Sequence, residues 1–414
     1  MELTLSPHPL TGTVAAIASK SQAHRLLICA ALAWQGTKIT CGQTSADIDA
    51  TVRCLAALGA DFAHCGDTVS VYPMELPHGD RELDCGESGS TLRFLLPVVG
   101  ALGAGATFRL HGRLAERPLS PLWEEMERHG CRLSRPSPDT LRCEGRLSGG
   151  TYRIAGDISS QFISGLLFAL PLTGEDCDIM LTTPLESARY VDLTVQALAR
   201  FGIDAERTAQ GWHIPAGSYF ASCGKAAVEG DWSNAAFWLC AGAICAPITL
   251  TGLDPASAQG DREILELLRR FGAEITCTES GITVSPAPLH AIDIDARDIP
   301  DLVPPLAAVA ACAEGTTSIS GASRLKIKES DRLQSVADVL CAVGVRVQIT
   351  DDGLRITGSP VRGGTVNARN DHRIAMLAGI LSSVASQSIT VQGAEAVSKS
   401  YPNFWEDFKR LSAR

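Results

Sequence analysis

The sequence predicts a mixed α/β (α+β) protein of two similar domains, each of three repeated units around buried helices. Three observations predict it. A phrase of helix, glycine and strand returns about every 71 residues. A second helix, apolar on nearly every face, alternates with it. Apolar residues make up 45% of the 414, which fills more than one core at about 150 residues per domain.

The first phrase reads LAALGADF, MERHGCRL, LARFGIDA, LRRFGAEI and CAVGVRV. Its glycines are Gly59, Gly130, Gly202, Gly272 and Gly344, spaced by 71, 72, 70 and 72. A glycine there fits the C′ position of a helix, where φ is positive. A sixth amphipathic helix, NFWEDFKRLSAR, falls where the spacing puts it. The second phrase has a polar start, a buried helix and a short strand. Its starts lie near Ser21, Ser90, Ser160, Ser233, Asp301 and Asp371, spaced by 69, 70, 73, 68 and 70. The strands that follow include TKITC, ATFRL, CDIML, PITLTG, TTSISG and QSITVQG. A helix such as FISGLLFAL has no wet face and belongs in a core, whereas the amphipathic helices cover sheets.

Six such units exceed one core, so two domains of three units are expected. The natural cut lies at 224–231, in GKAAVEGD. The first strand, LTLSP, completes the last unit, which lacks its final strand. The expected domains are therefore 20–228 and 1–19 plus 229–414. The chain then crosses near 18–20 and near 226–230, and two short crossings form a hinge that permits closure over a ligand.

A formal charge of −10 argues against a general nucleic-acid or anionic-membrane binder. It does not exclude a small anionic substrate in a cationic pocket. No run of 18 apolar residues predicts a membrane span, and MELTLSPHPL has neither the basic nor the apolar region of a secretory signal. Fourteen cysteines stand singly, with no CxxC pair. They read as reduced thiols of a cytoplasmic protein rather than a disulfide frame or a zinc site.

The starts of the buried helices carry the chemistry, because a helix N-terminus offers unpaired N–H groups and attracts anions. The first half supplies Lys20-Ser21, Gly89-Ser90-Thr91 and Ser159-Ser160-Gln161, and the second Asp231, Asp301 and Asp371-His372-Arg373. N-capping accounts for any one of these alone, and the acids are expected to cap their own helices. Cations beside them shift the reading: Lys20, Arg25, Arg93, Arg117, Lys328, Arg332, Arg373 and Lys399. Arg93 and Arg373 stand out, since each sits early in an apolar helix and requires a partner or an anion there. Guanidinium forks take carboxylate or phosphate bidentately. If the repeated units aim their polar ends at one cleft, substrates bearing several negative charges follow. Glu329 in KESDR, Asp301 in IPDLVPP and His372 are the acid–base candidates. A plain capping segment explains KESDR equally well.

Other chemistries fall away. There is no GxxxxGK[ST] loop, and GALGAG at 100–105 follows a helix and precedes a strand, the wrong order for a dinucleotide fingerprint. Asp293, Asp295, Asp298 and Asp301 lack the glycine of a calcium loop, and GESGST lacks the last glycine of a nucleophile elbow. No HExxH or other metal cluster occurs, so no metal and no organic cofactor is implied.

Six segments in order, SKSQAHR, GESGSTLR, ERP, SSQF, IPDLVP with KESDR, and NDHR with a late lysine, together resemble the enolpyruvyl transferase family of EPSP synthase over essentially the whole chain. The resemblance implies two domains of three βαβαββ-type units joined by a two-strand hinge. It implies transfer of the enolpyruvyl group of phosphoenolpyruvate to the 5-hydroxyl of shikimate 3-phosphate, by addition and elimination, in aromatic amino acid biosynthesis. It implies that Lys20, Ser21, Arg25, Ser159, Ser160, Gln161, Ser187, Tyr190, Asp301 and Lys328 hold shikimate 3-phosphate. Lys20, Gly89, Arg117, Gln161, Arg332, Arg373 and Lys399 then hold phosphoenolpyruvate. Asp301 accepts the hydroxyl proton, Glu329 protonates the methylene carbon and Lys20 balances charge. A cytoplasmic monomer with two small-molecule substrates, and no nucleic acid or membrane partner, is expected.

Two departures stand out. Glu87-Ser88-Gly89-Ser90 replaces the Asn-Ala-Gly-Thr of many members, and Arg324 stands where many have Asn. The alternative within the fold is the UDP-N-acetylglucosamine enolpyruvyl transferase. It uses a loop cysteine, and residues 86–130 contain none; its first motif is Lys-Asn rather than Lys-Ser. The alternative of another class is a non-catalytic anion-binding scaffold, against which the retention of Asp301 and Glu329 with eight cations argues.

Overall fold

The recurring glycines end helices in the left-handed region, with φ of 109° at Gly59, 105° at Gly130, 80° at Gly202, 105° at Gly272 and 84° at Gly344. A side chain with a Cβ would be strained at each, which is why the repeat is visible as a glycine period. The structure, a computed structural model, describes residues 1–75 and 79–412. The final two residues of the NFWEDFKRLSAR helix lie outside the described residues.

In chain order the α-helices are α1 (Lys20–Leu32), α2 (Ala46–Ala57), α3 (Gly89–Leu102), α4 (Leu122–Arg128), α5 (Ser160–Ala169) and α6 (Ala188–Arg200). They continue as α7 (Trp232–Ile244), α8 (Ile264–Phe271), α9 (Val303–Cys312), α10 (Arg332–Ala342), α11 (His372–Ser382) and α12 (Phe404–Ser412). The chain forms two units, Ala18–Val228 and Met1–Ile17 with Glu229–Arg414.

Each unit is a threefold repetition of one sheet. In Ala18–Val228 the parallel pairs are Lys225–Ala227 with Thr37–Thr40, Arg81–Asp84 with Ala106–Arg109, and Gly150–Ile154 with Cys177–Leu181. Each second strand then takes an antiparallel hairpin, Asp61–Cys65 with Thr68–Tyr72, Cys131–Ser134 with Thr140–Gly145, and Glu206–Arg207 with Gly211–Ile214. The other unit repeats this in the sheets led by Ile248–Thr251 and Thr316–Ser320. Its third sheet pairs Gly364–Asn367 with Ile389–Gln392, and Glu2–Leu5 fills the antiparallel place. The LTLSP segment thus completes the last unit.

The two strands that start a repeat at the crossings are exchanged. Gly12–Ala15 precedes α1 in sequence but pairs with Ile248–Thr251, and Lys225–Ala227 precedes α7 but pairs with Thr37–Thr40.

Helices α1, α3 and α5 supply the centre of one core, and α7, α9 and α11 that of the other. Burying Phe162, Ile163, Leu166, Leu167 and Phe168 of α5 removes apolar surface worth about 1.5–3 kcal/mol per side chain. Helices α3 and α5 approach backbone to backbone: a Cβ on Gly165 would stand 2.2 Å from the Arg93 carbonyl oxygen. That contact brings the first turn of α5 beside the first turn of α3. The amphipathic α2, α4, α6, α8, α10 and α12 each bury one face only.

Candidate functional sites

In Ala18–Val228 the polar groups gather around the starts of α1, α3 and α5. Ser19, Ser88 and Ser159 cap these helices, accepting from the N–H groups of Gln22, Thr91 and Gln161. The caps therefore lie one or two residues before the expected starts at Ser21, Ser90 and Ser160. Lys20, the first residue of α1, donates to Asp47 Oδ2 of α2 at 2.8 Å. Sequence reasoning missed Asp47, because an acid in a first turn reads as a dipole partner.

Arg25 lies one turn deeper and is 2% exposed. Its guanidinium donates to Thr194 Oγ1 at 2.8 Å, the Ser21 carbonyl at 2.6 Å and the Tyr190 carbonyl at 2.7 Å, and it lies 5.1 Å over the Phe94 ring. Burial lowers its pKa to about 10. These hydrogen-bond acceptors are all neutral, so they satisfy its donors and leave its charge to attract an anion. Ser187 holds a left-handed backbone at the start of α6, with φ 55°, and its carbonyl accepts from the Tyr190 N–H.

Gln161 joins α5 to α3: its Nε2 donates to Ser90 Oγ at 2.9 Å and its Oε1 accepts from Arg93 Nη1 at 3.0 Å. Arg93 also donates to the Pro118 carbonyl at 3.3 Å, beside Arg117. A Cβ on Gly89 would stand 2.6 Å from Arg117 Nη1 and 2.7 Å from Arg93 Nη1. Two guanidiniums thus border the glycine that opens α3, a cradle for an anion at a helix N-terminus. Glu87 packs on the next loop, its Oε2 2.6 Å from where a Gly112 Cβ would lie.

A second cluster lies in Glu229–Arg414 and centres on Arg332, the first residue of α10 and 1% exposed. It donates to Asp301 Oδ1 at 2.8 Å, Glu329 Oε2 at 2.7 Å and Asp371 Oδ2 at 2.8 Å. Three carboxylates around one guanidinium hold its pKa above the ordinary arginine value despite burial. Arg373 reaches the same acid, with Nη2 3.1 Å from Asp301 Oδ2, Nη1 3.1 Å from the Asp301 carbonyl and Nη2 2.7 Å from Ser233 Oγ. Lys399 donates to the Asn370 carbonyl at 2.6 Å, where Arg369 and Asn370 form a left-handed turn.

Desolvation alone would raise the Asp301 carboxyl, but Arg373, Lys328 and Arg332 hold it well below the usual range. Withdrawal from water lowers the Lys328 ammonium to about 8, against the pull of Asp301. Asp261 is a further acid here, missed in the sequence because QGDRE reads as a surface turn. Burial, then the charge of Asp301, pushes it up to about 7, while Arg373 and a hydrogen bond from Ser233 pull it down.

Asp231 and Asp371 cap α7 and α11, as expected of acids at those starts. Asp301 does not. It sits inside the 3-10 turn Pro300–Leu302, and α9 begins at Val303 without a side-chain cap. Pro304 and Pro305 lack the N–H groups that a cap would serve, so the Asp301 carboxylate is left to Arg332 and Arg373. Asp331 does cap α10, accepting from the Gln334 N–H at 3.1 Å, so the KESDR segment both caps a helix and supplies Glu329 and Arg332 to this cluster. Of the seven residues expected at phosphoenolpyruvate, Lys20, Gly89, Arg117 and Gln161 lie in one unit and Arg332, Arg373 and Lys399 in the other. Arg324, the departure from the family pattern, donates to the Arg297 carbonyl at 2.6 Å.

Among the described residues no group of three or more His, Cys, Asp or Glu is arranged to hold a metal ion, and no helix is long and apolar enough to cross a membrane.

The chain is similar to known proteins over its full length. The family model described as EPSP synthase (3-phosphoshikimate 1-carboxyvinyltransferase) matches residues 5–408. A protein of Clostridium kluyveri named 3-phosphoshikimate 1-carboxyvinyltransferase is 41% identical, over 99% of this chain and 97% of its own. One of Clostridium acetobutylicum with the same name is also 41% identical, over 98% and 96%. Among solved structures, an EPSP synthase of Acinetobacter baumannii superposes with a TM-score of 0.82 at 25% identity, covering 99% of this chain and 98% of that one. The enolpyruvyl transferase NikO of Streptomyces tendae, at 20% identity and a TM-score of 0.76, covers 99% and 96% and shares the fold. By its matched segments, its architecture and these relatives, the chain belongs to the EPSP synthase (3-phosphoshikimate 1-carboxyvinyltransferase) family.

Proposed function

We propose that the protein transfers the enolpyruvyl group of phosphoenolpyruvate to the 5-hydroxyl of shikimate 3-phosphate and releases phosphate. The observation that carries this reading is the pairing of Asp301 and Glu329 on one buried guanidinium, at 2.8 and 2.7 Å from Arg332. It fixes two carboxylates side by side, as a reaction with one proton donor and one proton acceptor requires.

Arg25 and the residues around it, Lys20, Ser21, Ser159, Ser160, Gln161, Ser187 and Tyr190, take shikimate 3-phosphate, with Asp301 and Lys328 on the ring. Arg117, Gly89, Gln161, Lys20, Arg332, Arg373 and Lys399 take phosphoenolpyruvate. The reading requires both sets to act on the same pair of substrates. Fixed cations offset the repulsion between two polyanions and orient them for attack.

Glu329, a carboxylate on Arg332 before substrate arrives, takes up a proton from solvent as the incoming anion draws Arg332 away; it gives that proton to the methylene carbon, and C2 becomes electrophilic. The 5-hydroxyl oxygen bonds to C2 and its proton passes to Asp301. In the resting site Asp301 is a weak base, since three cations face it. An arriving anion draws Arg332 and Arg373 toward itself, and the Asp301 carboxyl rises as those charges are shared. From the tetrahedral adduct the methyl group returns a proton to Glu329, the C–O bond to phosphate breaks as the proton held by Asp301 passes to the departing phosphate, and the enol ether forms.

The test is phosphate release. Purified protein with phosphoenolpyruvate should release phosphate only when shikimate 3-phosphate is added. Release with UDP-N-acetylglucosamine instead, or none with either acceptor, sinks the reading. Glu329→Gln should cut turnover about 100-fold or more, the contribution of a positioned acid, with substrate affinity within about tenfold; a fully active variant refutes the proton role.

A further inference from the structure

A buried polar chain runs beneath the first turns of α1, α2 and α3. His24 Nδ1 lies 2.7 Å from Thr51 Oγ1, and Thr51 Oγ1 lies 2.6 Å from Thr91 Oγ1. Thr91 Oγ1 donates to Ser88 Oγ at 2.8 Å, and Ser88 accepts also from the Thr91 N–H at 3.3 Å. His24, Thr51 and Thr91 are fully buried and Ser88 is nearly so. In a largely apolar core, four such groups are accommodated because each satisfies the next.

The direction of the chain follows from its far end. Thr91 has one hydroxyl proton and gives it to Ser88. Thr51 must then donate to Thr91, and His24 Nδ1 must donate to Thr51. The ring is therefore neutral with its proton on Nδ1. Burial and the charges of Lys20 and Arg25 keep it neutral. Among the described residues Nε2 has no hydrogen-bond partner, which suits a lone pair better than an N–H. Phe94 fixes the ring from another side, edge to face at 6.4 Å.

The spacing gives the chain its purpose. His24 follows Lys20 by four residues in α1, and Thr51 follows Asp47 by four in α2. The two helices thus make two rungs one turn apart, Lys20–Asp47 at 2.8 Å and His24–Thr51 at 2.7 Å. Thr91 and Ser88 flank Gly89, the glycine bordered by Arg117 and Arg93.

We propose that His24, Thr51, Thr91 and Ser88 are positioning residues for phosphoenolpyruvate, a directed hydrogen-bond chain that locks the Lys20–Asp47 rung against the Gly89 turn. The inference rests on the function proposed above for Lys20 and Gly89. The four residues touch no substrate in it; they act through the helix starts they join.

The experiment has two arms. In steady-state assays Thr51→Val, which keeps shape and removes the hydroxyl, should raise KM for phosphoenolpyruvate about five- to tenfold, the range of one neutral hydrogen bond. KM for shikimate 3-phosphate, which shares Lys20 with this chain but keeps Arg25, Ser159 and Ser187, should rise less, by about twofold, and Thr51→Ser should restore both wild-type values. Equal changes in both KM values, or a lower melting temperature alone, overturn the proposal. In the second arm, nitrogen-15 NMR of the wild-type protein, with His24 assigned through His24→Gln, should show the Nδ1-protonated neutral tautomer. A ring protonated on Nε2 or on both nitrogens overturns the chain as drawn. Wild-type protein without turnover counts against the proposed reaction, and the tautomer still decides the chain.

Discussion

Asp301 Oδ1 and Arg332 Nη1 stand 2.8 Å apart although 31 residues separate them. The helix α9 and the strand Thr316–Ser320 lie between them in sequence. One repeat of the fold thus delivers a carboxylate from the start of its buried helix and a guanidinium from the start of its outer helix to the same point.

Asp301→Asn tests the acid. The amide keeps the shape and one acceptor but takes no proton. Turnover should fall about 100-fold or more, with affinity for shikimate 3-phosphate within about tenfold by calorimetry. Unchanged turnover assigns the 5-hydroxyl proton elsewhere.

Arg332→Met tests the guanidinium as a structural element. It strands Asp371, which is fully buried, with Ser330 as a neutral partner at 3.0 Å. Removing one side of a buried ion pair costs about 3–5 kcal/mol. The urea midpoint should drop, and Asp371→Asn in the same chain should recover part of the loss. A midpoint equal to wild type contradicts the pairing.

Gly89→Ala tests the anion cradle. The new methyl falls 2.6 Å from Arg117 Nη1 and 2.7 Å from Arg93 Nη1, so both guanidiniums must move. KM for phosphoenolpyruvate should rise about tenfold, as for a displaced charged hydrogen bond, with KM for shikimate 3-phosphate within about threefold. A variant in which the second constant rises instead reverses the assignment of the two substrates.

Lys328 carries a pH signature. Its folded pKa is about 8 against an ordinary 10.5. Below pH 8 it is charged in both states, and its desolvation weighs against the fold in full. Between about 8 and 10.5 the unfolded chain binds more protons, so stability rises with pH. Wild type should therefore gain on Lys328→Met across that window and not below pH 7, measured as denaturant midpoints. A difference that is flat with pH removes the shift. The same deprotonation should raise KM for shikimate 3-phosphate above pH 8, and Lys328→Arg should flatten that rise.

The six-unit period was legible because Gly59 and its counterparts occupy a backbone region that only glycine enters cheaply, so geometry was written as composition. The buried helices were legible because segments such as FISGLLFAL have no polar face. Asp301 reads as a cap in the sequence, but Pro304 and Pro305 after it lack the N–H donors that a cap would serve, and α9 has no side-chain cap. Asp47 and Asp261 were passed over because a single acid near a helix start is ordinary, and only contacts between helices distant in sequence distinguish them. The His24–Thr51–Thr91 chain left no pattern, because histidine and threonine inside a helix look alike whether they meet a partner or face water.

The exchanged strands order events during synthesis. Ala18–Val228 has all its strands once Lys225–Ala227 emerges, so it closes early. The other unit cannot: Gly12–Ala15 waits for Ile248–Thr251, and Glu2–Leu5 waits for Ile389–Gln392. At about 5–20 residues per second the ribosome leaves that last edge unpaired for roughly ten to thirty seconds after the first unit is whole. Over that interval Glu2–Leu5 presents unpaired backbone groups on which another chain could add a strand.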